Sequence, residues 1–464
     1  RLGRDRLAWV AIGLFGLYLA LVLSRPSGVF WSLDEGGKFL YLENVLRTGD
    51  PRAPLEYPGR ALDPALQFVP LFYYARAGEA LYAWWPVGFP LLTLPFYLAL
   101  GWAGLYLLPA AGGAASAGLA GWLVQRLAKP ARPGLAEASA LIVGLATPIA
   151  FYSAVYWEHS LSAALLMAAV ACLVQAEQTQ RWRWALAAGG VGAAAGYLRP
   201  DLLSMLAGAG LVLLLRRWRW AVAFAAGAGV IGLAGAALNV YLMGHPVSRQ
   251  IESIDQAGLF MGLREAGLAF VPWALFNAPR VLALALSPPA LVFGMAALGL
   301  ALGGPFGRRW GWASVAGQLG LAALGLWVLA SPYGYRSVHG YVLIAPVVAS
   351  AAWIWRARRD GASAFFGALV LAMTAAYFGV YGVRSWVAAG GLQWGPRYML
   401  ALYPLHVAAA VVGLAAAWPT VTPAQRRGLL AALAAVALVG AGFEVRGQAA
   451  LHFTVGAYER ARRA

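Results

Sequence analysis

Apolar stretches of about 20 residues recur from one end of this chain to the other, and no other feature restricts its fold as strongly. A stretch of that length crosses the hydrocarbon core of a bilayer as a helix. In lipid the backbone must satisfy its own hydrogen bonds, which leaves helices or a closed barrel. The stretches are rich in Ala, Leu and Gly and show no two-residue alternation, which excludes a barrel. Composition agrees: 11% of the 464 residues are charged, against roughly 25% in soluble domains. The fold class is therefore all-α, a polytopic membrane helical bundle.

Basic clusters set the expected topology. Arg126/Lys129/Arg132, Arg181/Arg183, Arg216/Arg217/Arg219, Arg308/Arg309, Arg356/Arg358/Arg359 and Arg426/Arg427 each separate two apolar runs and read as cytoplasmic turns. The first apolar run, from Leu7 to Leu23, follows Arg1, Arg4 and Arg6 without a small-x-small cleavage site, and reads as an uncleaved anchor with a cytoplasmic N-terminus. Residues 87–126 hold one span or two. The positive-inside bias favours one, at about 103–126, with 87–100 broken by Pro86, Pro90 and Pro95 as an interfacial or re-entrant helix. Further spans are expected near 136–156, 159–177, 184–198, 202–216, 219–241, 281–304, 311–330, 341–355, 362–384, 398–417 and 428–443. The total is about thirteen. Residues 1–443 then form one transmembrane domain that includes an outer loop over 25–86, and 444–464 form a short outer tail.

The net charge of +17 lies in these turns and not on a soluble surface, so a nucleic-acid partner is excluded. Cys172 is the only cysteine, which rules out an intramolecular disulfide. No phosphate-binding glycine loop stands in a strand-to-helix setting.

Chemistry is expected in the outer loop 25–86. Loops beyond about 12–15 residues are usually functional or disordered. This one is rich in Trp, Tyr and Phe, which suit the lipid headgroup level. Its helical stretches, 35–47 and 65–77, are expected to lie flat on the outer leaflet. Asp34 and Glu35 stand about ten residues beyond the first span. Asp34 could cap a helix starting at Glu35. Alternatively, the pair supplies a general base or a carboxylate for a divalent cation, with Glu158 as a further ligand. Glu158 and His159 interrupt two apolar runs, and Arg336 and His339 lie beside Tyr333 and Tyr335. Both are candidate acceptor or donor pockets, because ionisable groups at membrane depth are costly.

Four segments resemble the GT-C-type glycosyltransferases, among them the protein O-mannosyltransferases, the aminoarabinose lipid A transferases and their bacterial relatives. The first is Ser32-Leu33-Asp34-Glu35-Gly36-Gly37-Lys38-Phe39-Leu40-Tyr41, running on to Gly49. The second is Trp84-Trp85-Pro86-Val87-Gly88-Phe89-Pro90-Leu91-Leu92, running on to Tyr97. The third is Tyr197-Leu198-Arg199-Pro200. The last is Gly390-Gly391-Leu392-Gln393-Trp394-Gly395-Pro396-Arg397-Tyr398-Met399-Leu400. The resemblance implies a sugar donor on polyprenyl phosphate and a hydroxyl acceptor (lipid, glycan or protein) at the outer face of the plasma membrane. It implies an acid of the first loop as base, Asp34 first and Glu35 second, with inversion at the anomeric carbon. Arg397, then Arg199, then Lys38 are the candidates for the donor phosphate, since Arg presents forked donors. Trp394 and Tyr398 join the pocket. The competing reading for Arg397 is snorkelling to the headgroups, for Arg199 pairing with Asp201, and for Lys38 an i,i+4 pair with Asp34. No large outer domain follows the last span, a departure from the mannosyl and aminoarabinose transferases that points acceptor recognition to the first loop and 243–280. A transporter or flippase of lipid-linked sugars, or a non-catalytic scaffold, are the alternatives. The concentration of polar residues at the outer ends favours the enzyme over a through-pore.

Overall fold

The computed structural model describes residues 2–57, 59–67, 74–77, 80–83, 85–247, 275–276, 288–303, 311–330, 340–358, 361–384 and 394–463. Among them, eight helices are long and apolar enough to cross a membrane, and three apolar helices are shorter. The candidate residues Arg336 and His339 lie outside the described residues, as does most of 243–280.

Helix α1 (Leu2–Leu23) packs on α4 (Leu107–Leu127) and α5 (Leu135–Leu145). Leu7, Leu14 and Tyr18 of α1 are buried, and the Tyr18 hydroxyl donates to the Gly144 carbonyl at 2.8 Å. After α1 the chain enters the loop over 25–86 and forms α2 (Leu33–Thr48). Ser32, and not Asp34, is the N-cap. Its hydroxyl accepts from the Glu35 amide while the Glu35 carboxylate accepts from the Ser32 amide, a reciprocal pairing that satisfies two orphan donors. Asp34 is thereby left out of the cap, inside the first turn.

Of the helix expected over 65–77, the described residues 65–67 and 74–77 are not helical. Tyr74–Ala77 (β1) pairs antiparallel with Ala80–Ala83 (β2), and Leu55 bridges to Leu81. Only two residues, Gly78 and Glu79, separate strands that carry Tyr74 and Tyr82, a hairpin pattern that outweighs helical periodicity. The loop aromatics also turn inward: Trp31, Tyr41 and Trp85 are buried in the protein and not set at the headgroups.

Residues 88–127 are two helices, α3 (Gly88–Leu100) and α4, separated by a 3₁₀ turn over Gly101–Tyr106. Gly101, at φ +60°, reverses the chain so that Gly104 lies against the backbone of Phe96 and Tyr97. Tyr97 of α3 donates to Glu43 of α2 at 2.8 Å, so α3 belongs to the loop assembly and α4 is the bundle helix.

Two expected spans are broken. Residues 136–156 give α5, then a turn at Pro148, then the single helical turn α6 (Ile149–Tyr152) and an irregular run to Glu158. Residues 341–355 give α13 (Tyr341–Ile344) and, after Ala345, a 3₁₀ helix over Pro346–Ala357. Irregular backbone at membrane depth is tolerated where protein buries it, and Phe151, Tyr152, Tyr156 and Trp157 have no exposed surface. Side chains from elsewhere take up its polar groups. Arg25 donates to the Ala154 carbonyl at 2.8 Å, Gln448 to that of Ala150 at 3.2 Å, and Glu35 accepts from the Tyr156 amide at 2.9 Å.

The other helices are α7 (His159–Thr179), α8 (Trp182–Leu198), α9 (Leu202–Arg216), α10 (Trp218–Met243), α11 (Pro288–Gly303), α12 (Gly311–Ala330), α14 (Gly361–Arg384), α15 (Leu402–Ala417) and α16 (Pro423–Arg463). Residues 444–463, expected as a separate tail, are the far half of α16. Its 41 residues span about 60 Å, more than a bilayer needs. The excess is held by apolar contact: Leu451 and Val455 are buried in a cleft beside Val29 and Trp31 of the first loop.

Candidate active site

The four segments singled out in the sequence meet at one end of the bundle. Asp34 comes from the first turn of α2. Arg397 comes from a 3₁₀ turn (Arg397–Met399) just before α15, and its Nη1 donates to Asp34 Oδ2 at 2.8 Å. Both side chains are mostly enclosed, at 13% and 19% exposure. Arg397 therefore points inward to a carboxylate and does not snorkel.

Its position follows from the preceding residues. The Trp394 ring stacks on Phe151 at 6.0 Å and its amide donates to the Tyr152 hydroxyl at 3.3 Å. Gly395 then takes φ +67°, a conformation open to glycine, and turns the chain so that Arg397 lies over the Trp157 and Tyr398 rings, 5.0 Å from each centroid. Its Nη2 reaches the Tyr398 hydroxyl at 3.2 Å, while the buried Nε has no hydrogen-bond partner. Burial works against the Arg397 charge, but Tyr398 and Asp34 outweigh it and hold the guanidinium above its ordinary range.

Beneath this pair lies a second polar group. Lys38, one turn along α2, bonds Glu158 at 2.7 Å and not Asp34. Arg199 bonds Asp201 at 2.8 Å and His159 Nε2 at 2.7 Å, and lies 3.6 Å from Glu158. Because Arg199 can only donate, His159 Nε2 must accept, and its proton sits on Nδ1, 3.7 Å from Glu158. Burial pushes the Glu158 carboxyl up, but Lys38 and Arg199 together bring it below its ordinary value. For Asp201 burial prevails over Arg199 and the carboxyl is raised. The Arg199 guanidinium lies 4.8 Å from the Tyr398 ring. Tyr398 thus sits between the two arginines.

Glu35 faces away from this group. Its carboxylate takes the amides of Trp31, Ser32 and Tyr156. Burial raises it to about 7 against those bonds. It joins α2 to the irregular run before α7 and so sets the depth of Asp34. Among the described residues no three His, Cys, Asp or Glu side chains gather as for a metal ion. Glu35 is committed to backbone, Glu158 to Lys38 and Asp34 to Arg397. Trp157 is the member of the site that sequence reasoning passed over, whereas the Arg199–Asp201 pairing it weighed is present. Trp157 directly precedes the Glu158-His159 pair, and that adjacency was the available signal.

The buried Lys38–Glu158 pair yields a stability prediction. Lys38→Met leaves Glu158 short of its nearest cation, which costs about 3–5 kcal/mol, and lowers the thermal unfolding midpoint in detergent. Adding Glu158→Gln to that variant removes the stranded charge and restores most of the loss. A double variant as unstable as the single one would show that the pair is not the cause.

No family model matches the chain, and no curated protein sequence matches it. Among solved structures, ArnT from Cupriavidus metallidurans bound to undecaprenyl phosphate is similar with a TM-score of 0.50 and 14% identity, over 97% of this chain and 77% of that one. The oligosaccharyltransferase AglB from Archaeoglobus fulgidus, in complex with an inhibitory peptide and a dolichol-phosphate, gives a TM-score of 0.48 and 13% identity. That match covers 94% of this chain, which spans 56% of AglB's length. By fold, the chain is a polytopic helical membrane protein similar to ArnT.

Proposed function

We propose that this protein transfers a sugar from a polyprenyl-phosphate donor to a hydroxyl acceptor, at the outer face of the plasma membrane, with the N-terminus in the cytoplasm. The observation that carries this reading is the Asp34–Arg397 contact, a carboxylate and a guanidinium brought from opposite ends of the sequence onto Trp157. The likeness to a structure bound to undecaprenyl phosphate supports the donor class. So does an apolar groove of about 610 Å³ between α8, α9 and α10, lined by Tyr197, Pro200, Leu206 and Phe224. Pro200 follows Arg199, so an isoprenoid chain in the groove starts beside the site.

In this mechanism Asp34 takes the proton of the acceptor hydroxyl. The acceptor oxygen forms its bond to the anomeric carbon from the face opposite the phosphate. The bond from that carbon to the phosphate oxygen breaks, and the electron pair leaves on the phosphate. Arg397 stabilises that charge, with the unpartnered Nε as the available donor. The charges of Lys38, Arg199, Glu158 and Asp201 are already paired, so this group holds the floor of the site while Arg397 meets the ligand.

The test is transfer of labelled sugar from synthetic polyprenyl phosphate sugars to membrane lipid, glycan and protein fractions by the purified protein in liposomes. Labelled product together with released polyprenyl phosphate is expected for at least one donor. Movement of intact donor across the bilayer without cleavage would instead make the protein a flippase.

A further inference from the structure

The pentapeptide Arg-Trp-Arg-Trp-Ala occurs twice, at 181–185 and at 217–221. Each copy leads into a helix, α8 or α10, and these two helices pack intimately. A Cβ on Gly189 would overlap the carbonyl of Phe224, and one on Gly227 that of Leu186, while Gly235 lies against Tyr197. Residues 186–189 of α8 meet 224–227 of α10, and Tyr197, further along α8, meets Gly235, further along α10, so the helices run parallel and the two pentapeptides lie at the same end. Arg199 follows the far end of α8, whose 17 residues place it about 25 Å away. The patch thus stands at the end of the bundle opposite Asp34 and Arg397, and none of its residues enters the proposed mechanism.

Arg181, Trp182, Arg183, Trp184, Arg217, Trp218 and Arg219 are all exposed. The Arg217 guanidinium lies 4.7 Å from the Trp220 ring centroid and that of Arg219 lies 5.6 Å from Trp218. Stacking of this kind holds a cation in place while leaving its outer donors available. The one ion pair that these four arginines make among the described residues is Arg217 with Glu177, at 3.7 Å. The patch therefore keeps a strong positive excess. Tryptophan prefers the headgroup level, the arginine fork matches phosphate oxygens, and two parallel helix starts add the positive ends of their dipoles. Directly beyond the patch, Leu214, Ala221 and Phe224 form the near end of the apolar groove between α8, α9 and α10, a surface suited to acyl chains.

We propose that the twin pentapeptides form a binding site for the phosphate headgroup of an anionic phospholipid, in the leaflet opposite the candidate active site. The full chain is reconstituted in nanodiscs of phosphatidylcholine with a minor fraction of phosphatidylglycerol, and the phosphatidylglycerol retained after extraction is measured by native mass spectrometry. R181Q/R183Q/R217Q/R219Q is expected to weaken retention on the order of tenfold or more, given about fivefold per arginine near an anionic surface. K129Q/R132Q/R358Q/R427Q removes the same charge from other exposed sites in basic turns and is expected to leave retention within about twofold. Equal losses in the two sets, or none in the first, overturn the proposal. Should the glutamine variant fail to fold, R181K/R183K/R217K/R219K carries the test. It keeps the charge but not the fork, so an intermediate loss supports the site and full retention overturns it.

Discussion

Asp34→Asn is expected to abolish sugar transfer while leaving donor binding intact or tighter. The amide cannot take a proton from an acceptor hydroxyl, and loss of a positioned general base costs on the order of 10² to 10⁴ in rate. Two features make the substitution informative. Asp34 is no part of the cap of α2, which Ser32 and Glu35 complete between them, so the helix start survives. Asp34 is also the anion that occupies Arg397 at 2.8 Å, so neutralising it removes a competitor for the donor phosphate. Titration of the variant with polyprenyl phosphate, beside single-turnover transfer, separates the effects. Transfer at the wild-type rate would falsify the assignment of Asp34 as base. A large loss of donor affinity in this variant would mean that the carboxylate serves binding.

Arg397→Ala is expected to show the converse, a loss carried first by donor affinity. Charge-assisted hydrogen bonds contribute roughly 1.5–3 kcal/mol, so polyprenyl phosphate should bind on the order of 10- to 100-fold more weakly. Turnover at saturating donor should fall as well, because the leaving phosphate loses its stabilising cation. Arg397→Lys keeps the charge but not the fork, nor the planar face set against Trp157 and Tyr398, and should recover only part of the loss. The readout is the dissociation constant for polyprenyl phosphate measured in detergent. An unchanged constant in Arg397→Ala would remove this residue from the phosphate role and leave Arg199 as the candidate, at the cost of its present bonds to Asp201 and His159.

These outcomes also separate the proposed enzyme from a scaffold. In a scaffold, Asp34 and Arg397 would be a structural pair, and removing either partner would register as lost stability with no ligand involved. The pair is mostly enclosed, so in a scaffold that loss of stability would be sizeable.

The helical bundle and the neighbourhood of the site were legible in the sequence because their signals are local. Apolar length selects helices in lipid, and an acid pair beyond the first span, a Leu-Arg-Pro element and a Trp-Gly-Pro-Arg element are short strings read in place. The helix breaks were less legible. Pro148 and Pro346 stand in stretches apolar enough to read as unbroken spans, and only the packed structure supplies the side chains, such as Arg25 and Gln448, that make irregular backbone tolerable there. Residues 74–77 of the expected helix over 65–77 depart for the opposite reason, since a short hairpin pairs their backbone across strands.

What the sequence determined by itself is the solvent of this protein, its helical class and the few places where charge interrupts apolar runs. What the tertiary structure decided is the partner of each charge. Lys38 could have paired with Asp34 one turn away and instead bonds Glu158, 120 residues on. Glu35, adjacent to Asp34, is committed to the Tyr156 amide, and Asp34 meets Arg397 across 363 residues. Hydropathy and capping depend on near neighbours along the chain, whereas a buried charge is stable only beside whatever counter-charge or amide the packing brings to it.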